Sequence, residues 1–265
     1  MKKAIIIGSH GQDGQLLYSL LKQKKYSVIG IDIDHISCTD STWNQIIDIS
    51  EPNQVHELIH KVQPNHVYYL AAYHHSSEDD TGDTYECINN SYKVNVFSYL
   101  NFLEGIRKYS NETRIFYASS SHIFGNPKDS IQDELTKYDP QSIYAFTKLD
   151  GILLSRYYRE NHSIFSSVGI LYNHESHLRT ENFVSKKIVK KAVQIKFNEL
   201  KKLMLGDIHV QIDWGYALDY VSAMFKILTH NNPDEFIVSS GEKNILKDFV
   251  SMVFNYLGMD WDKYV

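Results

Sequence analysis

Nothing in this chain restricts its fold more than the run Lys3-Ala4-Ile5-Ile6-Ile7-Gly8-Ser9-His10-Gly11-Gln12-Asp13-Gly14. Lys3 to Ile7 is short, apolar and β-branched, the pattern of a strand buried on both faces of a parallel sheet. Glycines 8, 11 and 14 then give GxxGxxG, and Leu16, Leu17, Leu20 and Leu21 recur behind them at helical spacing. Strand, glycine turn and helix, in that order, form a unit that lets backbone approach a dinucleotide pyrophosphate. The glycines permit the turn and the approach, and the helix N-terminus offers N–H donors and a positive dipole end. Gly8, Gly11, Gln12, Asp13 and Gly14 are the first candidate cofactor-binding residues.

The second strand, Ser27 to Ile33, ends at Asp32 and Asp34, about twenty residues beyond the loop. A carboxylate there accepts hydrogen bonds from ribose hydroxyls and repels a 2′-phosphate. No Arg follows it, which favours NAD over NADP. Asp32 is the better placed; Asp34 suits a turn. Ile46-Ile47-Asp48-Ile49 reads as a short strand that brings Asp48 and Ile49 near the adenine. Pro52 opens a helix to about Val62, with Val55, Leu58, Ile59 and Val62 on one face. His66 to Leu70 is a strand, and Leu70, Ala71 and Ala72 at its end leave room for a cofactor. His74 and His75 follow, with no carboxylate or Cys at ligand spacing, so a hydrogen-bonding or exposed role is expected and no metal. Residues 76–84 form an acidic loop.

A long helix is expected from Tyr85 to Lys108, apolar on so many sides that it suits an interface as well as the core. Arg114 to Ala118 is the next strand, and Ser119, Ser120, Ser121 and His122 stand at its C-terminal end, where open α/β sheets carry their chemistry. A Ser hydroxyl can hydrogen-bond a reacting carbonyl or alcohol, and His122 can move a proton near neutral pH. Pro140 precedes a helix to about Asn161 in which Tyr144 and Lys148 are four apart and share a face. An ammonium beside a phenol favours the phenolate and makes a tyrosine acid/base usable near neutral pH.

Beyond a strand at Ser163 to Ile170 the pattern loosens. A polar loop covers 172–182 and a basic amphipathic helix runs from Phe183 to Phe197. Short strands are expected at 203–205 and 210–212, a helix from Asp213 to about Thr229, a strand at Glu235 to Val238, and a last helix from Ile245 to Leu257. The alternation predicts an α/β fold, a Rossmann-type doubly wound parallel sheet. Residues 1–170 make the dinucleotide-binding domain. Residues 171–265 make mainly a small C-terminal substrate-binding lobe, with some segments returning to the sheet.

A net charge of −5 without a basic block argues against nucleic acid. No apolar run approaches a membrane span. Met1-Lys2-Lys3 leads straight into the first strand, unlike a signal peptide. Cys38 and Cys87 lack metal spacing and read as free thiols of a cytoplasmic protein.

Together, the glycine loop, the Ser triplet and the YxxxK pair give the chain a resemblance to the extended short-chain dehydrogenase/reductases. Within them it is most similar to the GDP-mannose 4,6-dehydratases. The segments that carry this are GQDG at 11–14, LAA at 70–72, YASSS at 117–121, YAFTKLDG at 144–151 and GILYNHES at 169–176. FVSKKI at 183–188, LGD at 205–207 and DWGYALDYVSAM at 213–224 continue it. The resemblance implies that Tyr144 takes the proton of a sugar 4-hydroxyl as hydride leaves C4, that Lys148 holds the nicotinamide ribose, and that Ser120 bonds the same oxygen. It further implies base-assisted loss of water across C5–C6, return of hydride to C6, and contacts from Asn173, Glu175, Arg179 and Lys187 to a nucleotide sugar. It implies a homodimer or higher homo-oligomer, paired through the helices at 85–108 and 144–161.

The chain departs from that family in several places. His122 stands where the family has the Glu that serves at C5 and O6; imidazole can do both jobs, or elimination is lost. Ile212 replaces a phosphate-binding Arg, and Asp32 stands in a region where the family has Arg for NADP. The family also continues beyond the position of Val265, which means either a truncated sequence or a shorter sugar pocket. The expectation is a nucleotide-sugar 4,6-dehydratase. The alternatives are a 4-keto reductase, epimerase or C4 oxidase, and a non-catalytic dinucleotide-binding relative.

Overall fold

The computed structural model describes residues 1–38, 42–74, 84–127 and 131–265. The expected acidic loop lies almost wholly outside these residues, as do His75 and the side chain of Cys38. The strands, in chain order, are β1 (Lys3–Ile7), β2 (Ser27–Asp32), β3 (His35–Cys38), β4 (His66–Tyr69), β5 (Arg114–Ser120), β6 (Ser166–Leu171), β7 (Asn173–Glu175), β8 (Gln211–Ile212), β9 (Trp214–Tyr216), β10 (Glu235–Val238) and β11 (Asn244–Ile245). The α-helices are α1 (Gln12–Gln23), α2 (Pro52–Val62), α3 (Tyr85–Tyr92), α4 (Ser98–Tyr109), α5 (Ile143–His162), α6 (Val184–Lys196), α7 (Ala217–Thr229) and α8 (Leu246–Tyr256). The chain divides into two compact units, Met1–Leu171 with Ala217–Val238, and Tyr172–Tyr216 with Ser239–Val265.

The first unit is built on a seven-stranded sheet of order β10-β6-β5-β4-β1-β2-β3. All its pairs are parallel except β2–β3, an antiparallel hairpin in which Asp32 faces His35. The expected strand at 46–49 is absent. The edge is instead taken by His35–Cys38, which a two-residue turn brings back along β2. Ile47 is buried without a partner strand, and Asp48 is used locally: its carboxylate accepts the Ser50 N–H at 2.9 Å and the Ser50 hydroxyl at 2.7 Å.

Alternation along the strands sorts the core into two layers. Ala4, Ile6, Tyr68 and Phe116 face α1 and α7, where Leu17, Leu21, Val221, Met224 and Leu228 cover them. Val55, Leu58 and Ile59 on α2 and Phe102, Leu103 and Ile106 on α4 are also fully buried. A set of buried tyrosines links β4, α4 and β5. Tyr99 lies 4.4 Å from Tyr117 and 5.3 Å from Tyr69, ring centre to ring centre. Each hydroxyl finds a partner: Tyr69 donates to Val94 O, Tyr117 to Asn95 O, and Tyr99 bonds Ser155 and Ser166. Left unpaired, each would cost about 1–3 kcal/mol.

The expected long helix runs from Tyr85 to Tyr109, but its middle, Lys93–Phe97, is a π-helix. The wide turn points Asn95, fully buried, toward β4 and α5. Helix α5 lies directly on β5 because Gly151 has no side chain. A Cβ there would stand 2.2 Å from Tyr117 Cζ.

In the second unit β7 pairs with β9 in parallel and β8 with β11 antiparallel, while α6 and α8 share an apolar cluster of Ile188, Ala192, Ile195, Leu203, Val250 and Phe254. Leu203–Leu205, expected as a strand, is not one. Leu203 is buried in that cluster, and its N–H reaches Tyr264 O at 2.7 Å. Nor does a helix begin at Asp213. Trp214–Tyr216 is tied into the ladder with β7, and the Asp213 carboxylate accepts the Ser240 and Gly241 N–H groups, each at 2.9 Å. The helix starts at Ala217.

Candidate active site

The glycine loop lies between β1 and α1, beside the point where the strand order reverses. Gly8 has φ +87°, and both its N–H (2.9 Å) and that of Ser9 (3.2 Å) reach Ile31 O. A Cβ on Gly8 would stand 2.8 Å from Ala71 N, and one on Gly14 only 2.3 Å from Gly8 O, so the turn itself requires both. Gly11 differs: its Cβ would meet nothing nearer than 3.4 Å. It is also the N-cap of α1, with no side chain closing the helix end. A helix start whose N-cap residue has no side chain suits a pyrophosphate, which takes up N–H donors there.

Asp32, half-buried at the end of β2, accepts the His10 N–H at 2.8 Å and the Ile33 N–H at 2.9 Å. It therefore belongs to the same mouth, and the His10 ring stacks on His35 at 3.8 Å. Asp34 is an exposed turn residue. Leu70 to Ala72 follow β4, and the Leu70 N–H bonds Ile7 O at 2.9 Å. Asp48 is exposed and held to Ser50, and hydrogen bonds from Ser50 draw its pKa down. Ile49 O accepts from Asn101 at 3.0 Å. This donor set and the open loop fit a dinucleotide.

The reactive groups collect at the ends of β4 and β5. Ser142 caps α5, its hydroxyl accepting the Ala145 N–H at 3.2 Å, which sets Tyr144 and Lys148 in the first two turns. Lys148 is 1% exposed and donates to Ala118 O at 2.9 Å. Its ammonium is 5.6 Å from the centre of the Tyr144 ring and 5.1 Å from that of Tyr117. Burial drives its pKa from 10.5 down to about 7. Ser120 is buried and its Oγ accepts the His122 N–H at 3.3 Å, so the hydroxyl proton remains for a further bond. The His122 ring meets Tyr144 edge-on at 5.8 Å and 89°. That side chain is open to solvent on one side, yet the protein around it lowers its pKa and favours the neutral ring.

Two further residues complete the cluster: Asn95, which sequence reasoning passed over, and His74, for which it expected only a hydrogen-bonding or exposed role. Asn95 accepts the Tyr73 N–H at 2.8 Å and donates to Tyr73 O at 3.2 Å and to Thr147 Oγ1 at 3.0 Å. It fastens the end of β4 to α5 one residue before Lys148. Its signal was present, a lone Asn inside the apolar run Val94 to Phe97. His74 lies 4.7 Å from Tyr144, ring to ring, at 84°.

The second unit carries the expected substrate residues separately. Asn173 is exposed on β7. Glu175 accepts from Arg179 at 3.2 Å and from Ser185 at 2.6 Å, and the Arg179 guanidinium lies 3.7 Å over the Phe183 ring. Lys187 is half-buried in the first turn of α6, which also carries Ser185. Among the described residues no three His, Cys, Asp or Glu side chains form a metal cage. No described helix is long and apolar enough to cross a membrane.

Residues 5–265 match the family model for GDP-mannose 4,6 dehydratase. The chain belongs to the GDP-mannose 4,6-dehydratase family. GDP-mannose 4,6 dehydratase 2 of Arabidopsis thaliana is 32% identical over 284 residues, an alignment covering 100% of this chain and 74% of the plant protein. Among solved structures, RMD from Pseudomonas aeruginosa complexed with NADPH aligns with TM-score 0.85 at 18% identity, over 98% of this chain and 85% of that one. The dTDP-glucose 4,6-dehydratase of Bacillus anthracis in complex with NAD aligns with TM-score 0.83 at 18% identity, over 100% and 84%. These likenesses agree with the Rossmann-type sheet.

Proposed function

We propose that the protein is a nucleotide-sugar 4,6-dehydratase that uses NAD, takes a GDP-sugar and acts in the cytoplasm. The observation that carries this is the placing of His122 and Lys148 against the Tyr144 ring, with Ser120 bonded to the His122 N–H, in a chain whose glycine loop starts α1 without a side-chain cap. Gly8, Gly11, Gln12, Asp13 and Gly14 receive the pyrophosphate, and Asp32 accepts from the adenosine ribose. Asp48 and Ile49 would hold the adenine side, and Leu70 to Ala72 would line the nicotinamide half. When bound, the dinucleotide would supply the hydride acceptor for C4 and the hydride donor for C6.

The residues of the chain do the rest. Lys148 places a positive charge near Tyr144 and lowers the cost of its phenolate, which takes the proton of the 4-hydroxyl. Ser120 donates to the same oxygen as it becomes a carbonyl. The ketone acidifies C5–H, and the neutral His122 imidazole takes that proton. Arg179, oriented by Glu175 and by the Phe183 ring, is suited to the diphosphate, with Asn173 and Lys187 as further contacts. Exposed Phe97, Phe146, Leu153 and Tyr157 give the π-helix and α5 an apolar face that suits a second copy of the chain.

Mass spectrometry of GDP-mannose incubated with protein and NAD tests the reading. Loss of one water is expected. Loss of two hydrogens with NADH accumulating would make the protein a C4 oxidase instead, a result that His122 in place of Glu leaves open. Light scattering on Leu153→Glu tests the interface: a dimeric parent should become monomeric.

A further inference from the structure

The proposed reaction takes protons from O4 and C5 and delivers protons to O6 and C5, so with Tyr144 and His122 alone one of them must serve two atoms. Tyr144 gains one from the 4-hydroxyl. His122 takes one from C5. The departing O6 must receive one to leave as water, and if His122 passes the C5 proton there, C5 must be reprotonated from another group.

A second imidazole stands at the same phenol. His74 meets the Tyr144 ring edge-on at 4.7 Å, nearer than His122 at 5.8 Å. Its position is built. Asn95 holds both backbone groups of Tyr73, the preceding residue, at 2.8 and 3.2 Å, and bonds Thr147 on α5 at 3.0 Å. The segment after β4 is thereby locked to the helix that carries Tyr144. We propose that His74 is the acid that protonates the departing O6, and that Tyr144 restores its proton.

The step rests on the dehydratase reading, and it balances. With C4 at the ketone level, His122 takes the C5 proton and the C5–H electron pair moves onto the ketone as an enolate, which re-forms the ketone as its C4=C5 pair shifts to make the C5=C6 π-bond. The C6–O6 bond breaks with its pair going to oxygen, the imidazolium of His74 gives O6 a proton, and water leaves. Hydride returns to C6 and His122-H⁺ returns its proton to C5. Tyr144 then holds the proton taken from O4, and His74 lacks the one given to O6. Passing it between these adjacent rings, directly or through one water, resets both.

The test is turnover of GDP-mannose with NAD in D2O, comparing wild type with His74→Gln, His74→Asn and His122→Gln. Each protein is first checked for NAD binding by calorimetry, which shows that it is folded. In both His74 variants dehydration should slow about 100-fold or more, the usual worth of a positioned acid. Recovered GDP-mannose should gain deuterium at C5, because His122 still opens C5 and the ketone is reduced back. His122→Gln should show neither deuteration nor water loss. Dehydration at the wild-type rate in the His74 variants would overturn the proposal and leave His122 doing both jobs. So would loss of C5 deuteration along with dehydration in those variants. If wild type itself releases no water, the dehydratase reading falls first and this inference falls with it.

Discussion

Lys148 gives the sharpest test of the site's electrostatics. In the dinucleotide-free protein its ammonium is fully buried and bonded only to Ala118 O among the described residues, with its pKa at about 7. The unfolded chain restores the ordinary value near 10.5. Between these two pH values the unfolded state holds a proton that the folded state has shed, so the lysine's contribution to stability rises with pH. Below pH 7 both states are protonated and its full cost is present, about 5 kcal/mol at about 1.4 kcal/mol per pH unit. Lys148→Met removes that charge while keeping most of the side-chain volume. Urea unfolding without dinucleotide should find the variant more stable than wild type by several kcal/mol at pH 6–7. The gap should shrink by about 1.4 kcal/mol for each pH unit above that and close near pH 10. Bound ribose hydroxyls would offer the ammonium acceptors and raise its pKa, so NAD binding at pH 8 should take up a proton, read as a buffer-dependent calorimetric heat. A gap that stays flat from pH 6 to pH 9 would refute the reasoning, because burial would then not be what sets this lysine's charge.

Three further outcomes are expected. Asn95→Ala leaves the Tyr73 backbone groups and the Thr147 hydroxyl short of partners, a loss of about 3 kcal/mol at about 1 kcal/mol per bond, seen as a Tm lower by roughly 6–12 °C. Asp32→Ala removes the proposed acceptor for the adenosine ribose, and NAD binding measured by fluorescence quenching should weaken about 10- to 100-fold, with NADP less affected. Gly151→Ala forces α5 off Tyr117, where its Cβ would lie 2.2 Å from Cζ. Overpacking of this kind costs about 1–3 kcal/mol, and activity should fall by more than the melting temperature implies because Lys148 and Tyr144 move with the helix.

The sheet was readable because local pattern and tertiary role agree there. KAIII is a strand in any context that follows it with a glycine loop and an amphipathic helix, and Glu235–Val238 matched the expected strand residue for residue. Failures came where the backbone's partner was remote. Ile46–Ile49 has strand composition, but the sheet edge had gone to the polar His35–Cys38 hairpin. Trp214–Tyr216 looks helical from its neighbours, yet its ladder partner is β7. In the site, residues with chemistry of their own stood out: Ser120, His122, Tyr144 and Lys148. The Asn95 side chain acts through Tyr73 and Thr147, 22 and 52 residues away, and no spacing rule reports such a link. His74 was visible, but its importance comes from a ring contact with Tyr144 that only the fold creates.

Consider, last, how the chain is made. Arg156 and Arg159 on α5 both pair with Glu235, at 2.6 and 2.7 Å, and that carboxylate opens the strand that closes the sheet against β6. Their partner lies 79 and 76 residues downstream. At about 5–20 residues per second, the helix that carries Tyr144 and Lys148 leaves the ribosome roughly 4–16 s before its counter-charge. During that interval one flank of β6 is unpaired and two guanidinium groups remain in water. Completion of the catalytic sheet is therefore timed by synthesis of the intervening segment, and a ribosome stalled there should leave a nascent chain with an open sheet edge.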